Sequence, residues 1–121
     1  MSREDRLRLE TEARYPLLSQ FLGCYLHEDW DIFSGTPEKA VDQAIAESGV
    51  SIRQRVRGEL IDLLEGCDDD VRLRRIINDG LGVNLWFKQP GEARAFAEQV
   101  ERKLLLSIKS HFQDRIEERT Q

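Results

Sequence analysis

Apolar residues fall into blocks at helical spacing along most of this chain. Leu17, Phe21 and Tyr25 recur at i, i+4 and i+8, with Leu18 and Leu22 beside them. Pro16 ahead of them is tolerated in a first helical turn, and Gly23 weakens that helix only slightly. A second block, Ala40, Val41, Ala44 and Ile45, follows Thr36-Pro37, the favoured pairing of an N-cap with a proline at the first helical position. Gly49 is expected to end that helix. Ile52, Val56, Leu60, Leu63 and Leu64 predict a third helix, with Ser51-Ile52-Arg53-Gln54 in capping-box spacing and Gly66 closing it. Asp68-Asp69-Asp70 opens a fourth, which carries Val71, Leu73, Ile76 and Ile77 and stops near Gly80. Residues 81–91, with Trp86, Phe87 and Pro90, read as irregular. The last helix is the longest, with Ala93, Phe96, Ala97, Val100, Leu104, Ile108 and Phe112 on one face.

Strand-like alternation nowhere competes for more than a few residues. The expected fold is therefore all-α, a single-domain bundle of about five helices. Residues 1–14 are polar and weakly periodic, an extra helix or a loose arm; 15–113 form the helical domain; 114–121 are a fraying tail.

Composition narrows the class. With 121 residues, 40% apolar and 34% charged, the chain suits one modest core. Its longest apolar run, Leu104-Leu105-Leu106, is far short of the roughly 18–20 residues that span a membrane. Ser2-Arg3-Glu4-Asp5-Arg6 is too charged for a secretory signal, which makes the cytoplasm the expected location. Cys24 and Cys67 form no metal or disulfide frame and are expected to be buried or half-buried bystanders.

Charge changes the picture more by its placement than by its sum of −5. Residues 1–27 hold four acids and four bases, and residues 48–121 hold thirteen of each. The imbalance lies within 28–47, where Glu28, Asp29, Asp31, Glu38, Asp42 and Glu47 face only Lys39. Such a field repels nucleic acid and attracts basic protein surfaces. Glu38 and Asp42 are i, i+4 on the exposed face of the second helix, with Glu47 a turn or so beyond. Like charges at that spacing cost about 0.2–0.5 kcal/mol per pair. A surface that tolerates this repulsion is a candidate for a basic partner.

Other motifs read as structure. His27-Glu28 lacks the second histidine of a zinc-peptidase helix, since Asp31 stands there. Asp29-Trp30-Asp31 reads as a turn leaving a helix, its carboxylates satisfying backbone groups and Trp30 folding back as a core anchor. Gly80-Leu81-Gly82 is a helix end, not a phosphate cradle. Arg72, Arg74 and Arg75 have no interleaved aromatics and are balanced by nearby aspartates. With only His27 and His111, no nucleophile–base–orienter set is in view, so no enzyme is expected.

The segment from Tyr15 to Ala40 carries a denser pattern: Tyr15, Pro16 and Leu18, then Phe21, Leu22, Gly23 and Tyr25, then Asp29-Trp30-Asp31, then Thr36-Pro37-Glu38. It resembles the signature of the contact-dependent growth inhibition immunity proteins. The resemblance is dense over about 25 residues and loose elsewhere; Cys24, Leu26 and the Trp86–Gly91 stretch depart from it. It implies a neutralising role, in which a small bacterial protein binds the toxic C-terminal domain of a cognate effector, often a nuclease, in the cytoplasm. On that reading the signature residues make the fold, and specificity lies outside them.

The expectation is a monomer that forms a one-to-one complex with a basic toxin domain and uses no cofactor, metal, nucleic acid or membrane. Glu28, Asp31, Glu38, Asp42 and Glu47 are the expected contacts, with Asp68, Asp69 and Asp70 as a second patch. Two alternatives stand beside it: a helical scaffold or adaptor that self-associates through an exposed apolar face, and a metal-dependent hydrolase using the His27–Asp31 acids.

Overall fold

A computed structural model describes residues 2–27 and 35–120, with side chains through Ile116. Among the described residues there is no strand. The chain forms α1 (Arg3–Arg14), α2 (Pro16–Tyr25), α3 (Pro37–Glu47), α4 (Val50–Gly66), α5 (Asp70–Arg75), a π-helical turn (Ile76–Gly80) and α6 (Pro90–Thr120). The all-α expectation holds, with one helix more than the five expected because residues 3–14 are helical. Glu28, Asp29, Trp30 and Asp31 lie outside the described residues, and with them the expected acidic turn and its tryptophan anchor.

The first helix is set by its ends more than by its faces. Ser2 caps it, its hydroxyl accepting the Asp5 N–H at 3.1 Å. Thr11 is its one buried residue and donates its hydroxyl to the Leu7 carbonyl at 2.6 Å. That face packs on the π-helical turn, where a Cβ at Gly80 would fall inside van der Waals distance of the Thr11 hydroxyl. Only glycine permits this approach.

Tyr15 ends α1 and begins α2 at once. A residue before proline is driven from the helical region, and Tyr15 takes φ −129° and ψ 64°. Its own side chain makes no cap. The α2 N-terminus is closed from a distance: Glu59 of α4 accepts the N–H groups of Leu17 at 3.1 Å and Leu18 at 2.9 Å on one carboxylate oxygen. The negative charge also faces the positive end of the helix dipole.

From that start α2 buries Leu18, Phe21 and Leu22, and Leu26 follows just past its end, fully buried. Gly23 lets the Leu81 carbonyl approach, since a Cβ there would lie 3.0 Å from that oxygen. Helix α3 starts as expected, Thr36 accepting the Lys39 N–H at 3.1 Å, and it buries Ala40, Val41 and Ala44. Its end differs from the expectation. Ser48 closes it, donating its hydroxyl to the Ala44 carbonyl at 2.7 Å, whereas Gly49 is the N-cap of α4. Ser51 therefore lies inside α4 and caps nothing; the extended Gly49 needs no side chain to begin a helix whose stability comes from packing.

Helix α4 lies along α6. Val56, Leu60 and Leu63 meet a face of α6 that includes Ala93, Ala97, Val100 and Leu104, and the Arg57–Glu101 ion pair at 2.9 Å ties the two helices. Asp69 caps α5, accepting the Val71 N–H at 2.9 Å and the Arg72 N–H at 3.3 Å. The π-helical turn then closes with the Leu81 N–H donating to the Ile76 carbonyl. Helix α6 is longer than its packed face and runs to Thr120, past its last buried residue, Ile108.

The remote cap on α2 generates a test. Glu59→Ala should lower stability by about 1–2 kcal/mol, the size of a lost N-cap. Glu59→Gln keeps an acceptor oxygen and should lose clearly less. Urea denaturation measures both; equal losses would show that Glu59 acts through packing alone.

Candidate functional site

The acids expected to form one stripe face two ways. Nine residues of α-helix turn through about two and a half revolutions, so Glu38 and Glu47 project from opposite sides of α3. Asp42 reaches α6 and pairs with Lys103 at 2.7 Å, and Glu38 lines a shallow groove beside it with Val41 and Phe96. The like-charge cost between Glu38 and Asp42 is thus offset within the protein. Glu47 faces α2 instead.

The second expected patch is divided in the same way. Asp69 is occupied as a cap and Asp70 pairs with Arg94 of α6, whose guanidinium also donates to the Cys67 carbonyl. The hydrogen bond that Arg94 donates to the Asp70 carboxylate holds its guanidinium still more firmly protonated. Asp68 is exposed. Arg94 and Lys103 are nine residues apart on α6, about 13 Å along the axis and half a turn round it. The Asp42 and Asp70 pairs therefore approach α6 on different flanks.

What the structure does bring together is Tyr25 and Glu47, one a signature residue and the other a charged candidate. The Tyr25 hydroxyl donates to Oε2 of Glu47, and Gln43 Nε2 donates to Oε1 at 3.0 Å. The phenol's hydrogen bond to a carboxylate pushes the Tyr25 pKa up to about 12, aided by partial burial and the adjacent negative charge. The same bond, with that from Gln43, lowers the pKa of Glu47.

This pair lines a cleft of about 360 Å³ between α2 and the start of α4, together with Leu17, Phe21, Cys24 and Ile52. A second open cleft of about 420 Å³ lies on the other side of α2, against Arg8, Glu12, Gly23, His27 and Gly82. Gln20 and Cys24 form the ridge between them. Cys24 is exposed, contrary to the expectation for it, because it lies on the outer face of α2; Cys67 is buried as expected.

Trp86 is not among the residues that the sequence pattern singles out. It is 88% exposed, while the chain on both sides of it is fixed. Asn84 N–H donates to the Leu26 carbonyl at 2.7 Å, and the Asn78 amide donates to the carbonyls of Val83 and Leu85. Phe87 packs its ring on Phe96 with centroids 5.7 Å apart. Val83, Leu85 and Phe87 turn inward in alternation, which directs Trp86 outward. That alternation was the available signal, and it spans only five residues.

Among the described residues no group of three or more His, Cys, Asp or Glu is arranged to hold a metal ion, and no helix is long and apolar enough to cross a membrane. The acids suggested for a hydrolase, Glu28 to Asp31, lie outside the described residues.

The Tyr25–Glu47 bond sets two opposite pH dependences. Its contribution through Tyr25 is complete below the unfolded phenol value of 10.0 and is lost as pH rises through about 12. Through Glu47 it is complete above 4.5 and is lost as pH falls through the lowered value. In a phenolate absorbance titration Tyr25 should ionise near pH 12, and in Glu47→Ala it should move back towards 10. An unchanged titration in that variant would remove the hydrogen bond as the cause.

Comparison with known proteins follows the same landmarks. A family described as CdiI immunity protein matches residues 14–104, from the residue before Tyr15 to the Leu104 core position of α6. A chain of the crystal structure of a CdiA-CT/CdiI complex from Y. kristensenii 33638 shares the fold, with a TM-score of 0.68 at 21% identity over 77% of this chain and 95% of that one. No curated protein sequence matches. The family match extends well beyond the 25-residue signature and spans α2 through the packed half of α6: the chain belongs to the CdiI immunity protein family.

Proposed function

We propose that this protein neutralises the toxic C-terminal domain of a cognate contact-dependent growth inhibition effector, by forming a one-to-one complex with it in the cytoplasm. The observation that carries the reading is the family match over residues 14–104, and the complex formed by the Y. kristensenii protein of the same fold supports it. The protein acts by occlusion and performs no chemistry of its own.

The partner's character follows from charge. A net charge of −5, which arises within residues 28–47 of the sequence, favours a basic domain such as a nuclease with a phosphate-binding cleft. Acids raise the on-rate and select the partner, while tight inhibition needs a few desolvated anchors. Trp86 is suited to that second role: it is large and exposed, and its backbone is already ordered, so little entropy is lost on binding.

The direct test is co-expression with the toxin domain of the cognate effector. Growth should be restored by this protein and by no unrelated immunity protein; continued killing would overturn the reading. Reversal of Glu38 and Asp42 to lysine should weaken toxin affinity and flatten its salt dependence. If both stay as in the wild type, steering by these acids is wrong even where protection survives. Trp86→Ala should weaken binding by about 30-fold or more, the range of an interface hot spot, measured by calorimetry. An unchanged affinity would place the anchor elsewhere.

A further inference from the structure

We propose that the cleft between α2 and α4 receives an arginine side chain of the toxin domain, with the Glu47 carboxylate as its acceptor. The inference rests on the neutralising role above and names the chemistry of one contact within it.

Glu47 differs from the neighbouring acids in how its charge is held. Asp42 faces Lys103 and Asp70 faces Arg94, so each is cancelled by a cation of the same chain. The partners of Glu47 are an uncharged phenol and an uncharged amide. They fix the carboxylate in position and leave its charge intact. One partner engages each oxygen, and a carboxylate oxygen has two lone pairs, so each oxygen retains one for a further donor. A guanidinium supplies two parallel N–H donors that match this arrangement. The hydrogen bonds also favour the ionised form at neutral pH.

The walls select the rest of the side chain. Leu17, Phe21 and Ile52 line the cleft, and Ile52 is 39% exposed although it lies in the apolar stripe of α4. A surface cleft with these apolar side chains beside a fixed carboxylate suits a long aliphatic stem with a charged head. The volume of about 360 Å³ admits such a chain without rearrangement of the helices. Arginine fits better than lysine because the acceptor is planar and held in orientation.

Tyr25 serves both the fold and the acceptor, since its ring packs against the core. Tyr25 is half-buried, and its hydroxyl serves a surface carboxylate. It orients the acceptor and leaves the choice of partner to the surrounding residues.

The test uses the intact protein and the toxin domain of the cognate effector. Glu47→Gln removes the charge but keeps an oxygen for Tyr25, so the fold should persist, as circular dichroism would verify. Its affinity for the toxin domain should fall about 30-fold or more, the loss typical of an unpaired interfacial charge. Glu101→Gln, which removes only the ion pair with Arg57 inside the chain, should change it only a few-fold. Alanine replacement of each toxin arginine in turn should reveal one whose loss weakens wild-type binding but adds little against Glu47→Gln. A bulky maleimide on Cys24, at the rim of the cleft, should block binding as well.

Wild-type-like affinity in Glu47→Gln would overturn the arginine assignment and leave the neutralising role standing. Weakened binding that couples to no toxin arginine would overturn it too. Failure of the wild-type protein to bind the toxin domain would instead overturn the neutralising role itself.

Discussion

Glu59 makes the start of α2 possible, and α1, α3 and α4 all pack on that helix. The Tyr15-Pro16 step forces a break between the first two helices and leaves the N–H groups of Leu17 and Leu18 facing the protein. Buried donors without acceptors cost about 1–3 kcal/mol each, enough to matter in a domain of this size. One carboxylate oxygen from α4 satisfies both. Helix α2 can then lie between α1, α3 and α4 with Leu18, Phe21 and Leu22 buried.

The same helix has two unlike faces. Its inner face and Gly23 carry the packing, and its outer face, Gln20 and Cys24, forms the ridge between two clefts. Tyr25 stands at the boundary and orders a carboxylate of α3.

Charge works at two levels in this protein. The overall excess of acid gives a long-range field that needs no particular geometry. At short range the acids are not equivalent. Asp42 and Asp70 stabilise the placement of α6 through Lys103 and Arg94, and Asp69 caps a helix. Salt bridges on a surface contribute little to stability, commonly under about 1 kcal/mol. Their larger effect here is to cancel charge that would otherwise face a partner.

The chain's own sequence determined the helical periods, the Thr36 cap, the break at Pro16, the helix start at Asp69 and the family signature. Those features depend on residues within a turn or two of each other, where local geometry decides. It did not determine the Glu59 cap, whose partners are more than 40 residues away, nor the contact of Gly80 with Thr11. The acidic run from Glu38 to Glu47 looked like one stripe because sequence distance hides rotation about a helix axis. Only the packing of α3 against both α2 and α6 decided that Asp42 would be paired with a cation and Glu47 held by neutral groups. Trp86 shows the same limit: its exposure follows from anchors on α2, the π-helical turn and α6 that fix the chain round it, and no local pattern long enough to read contains them.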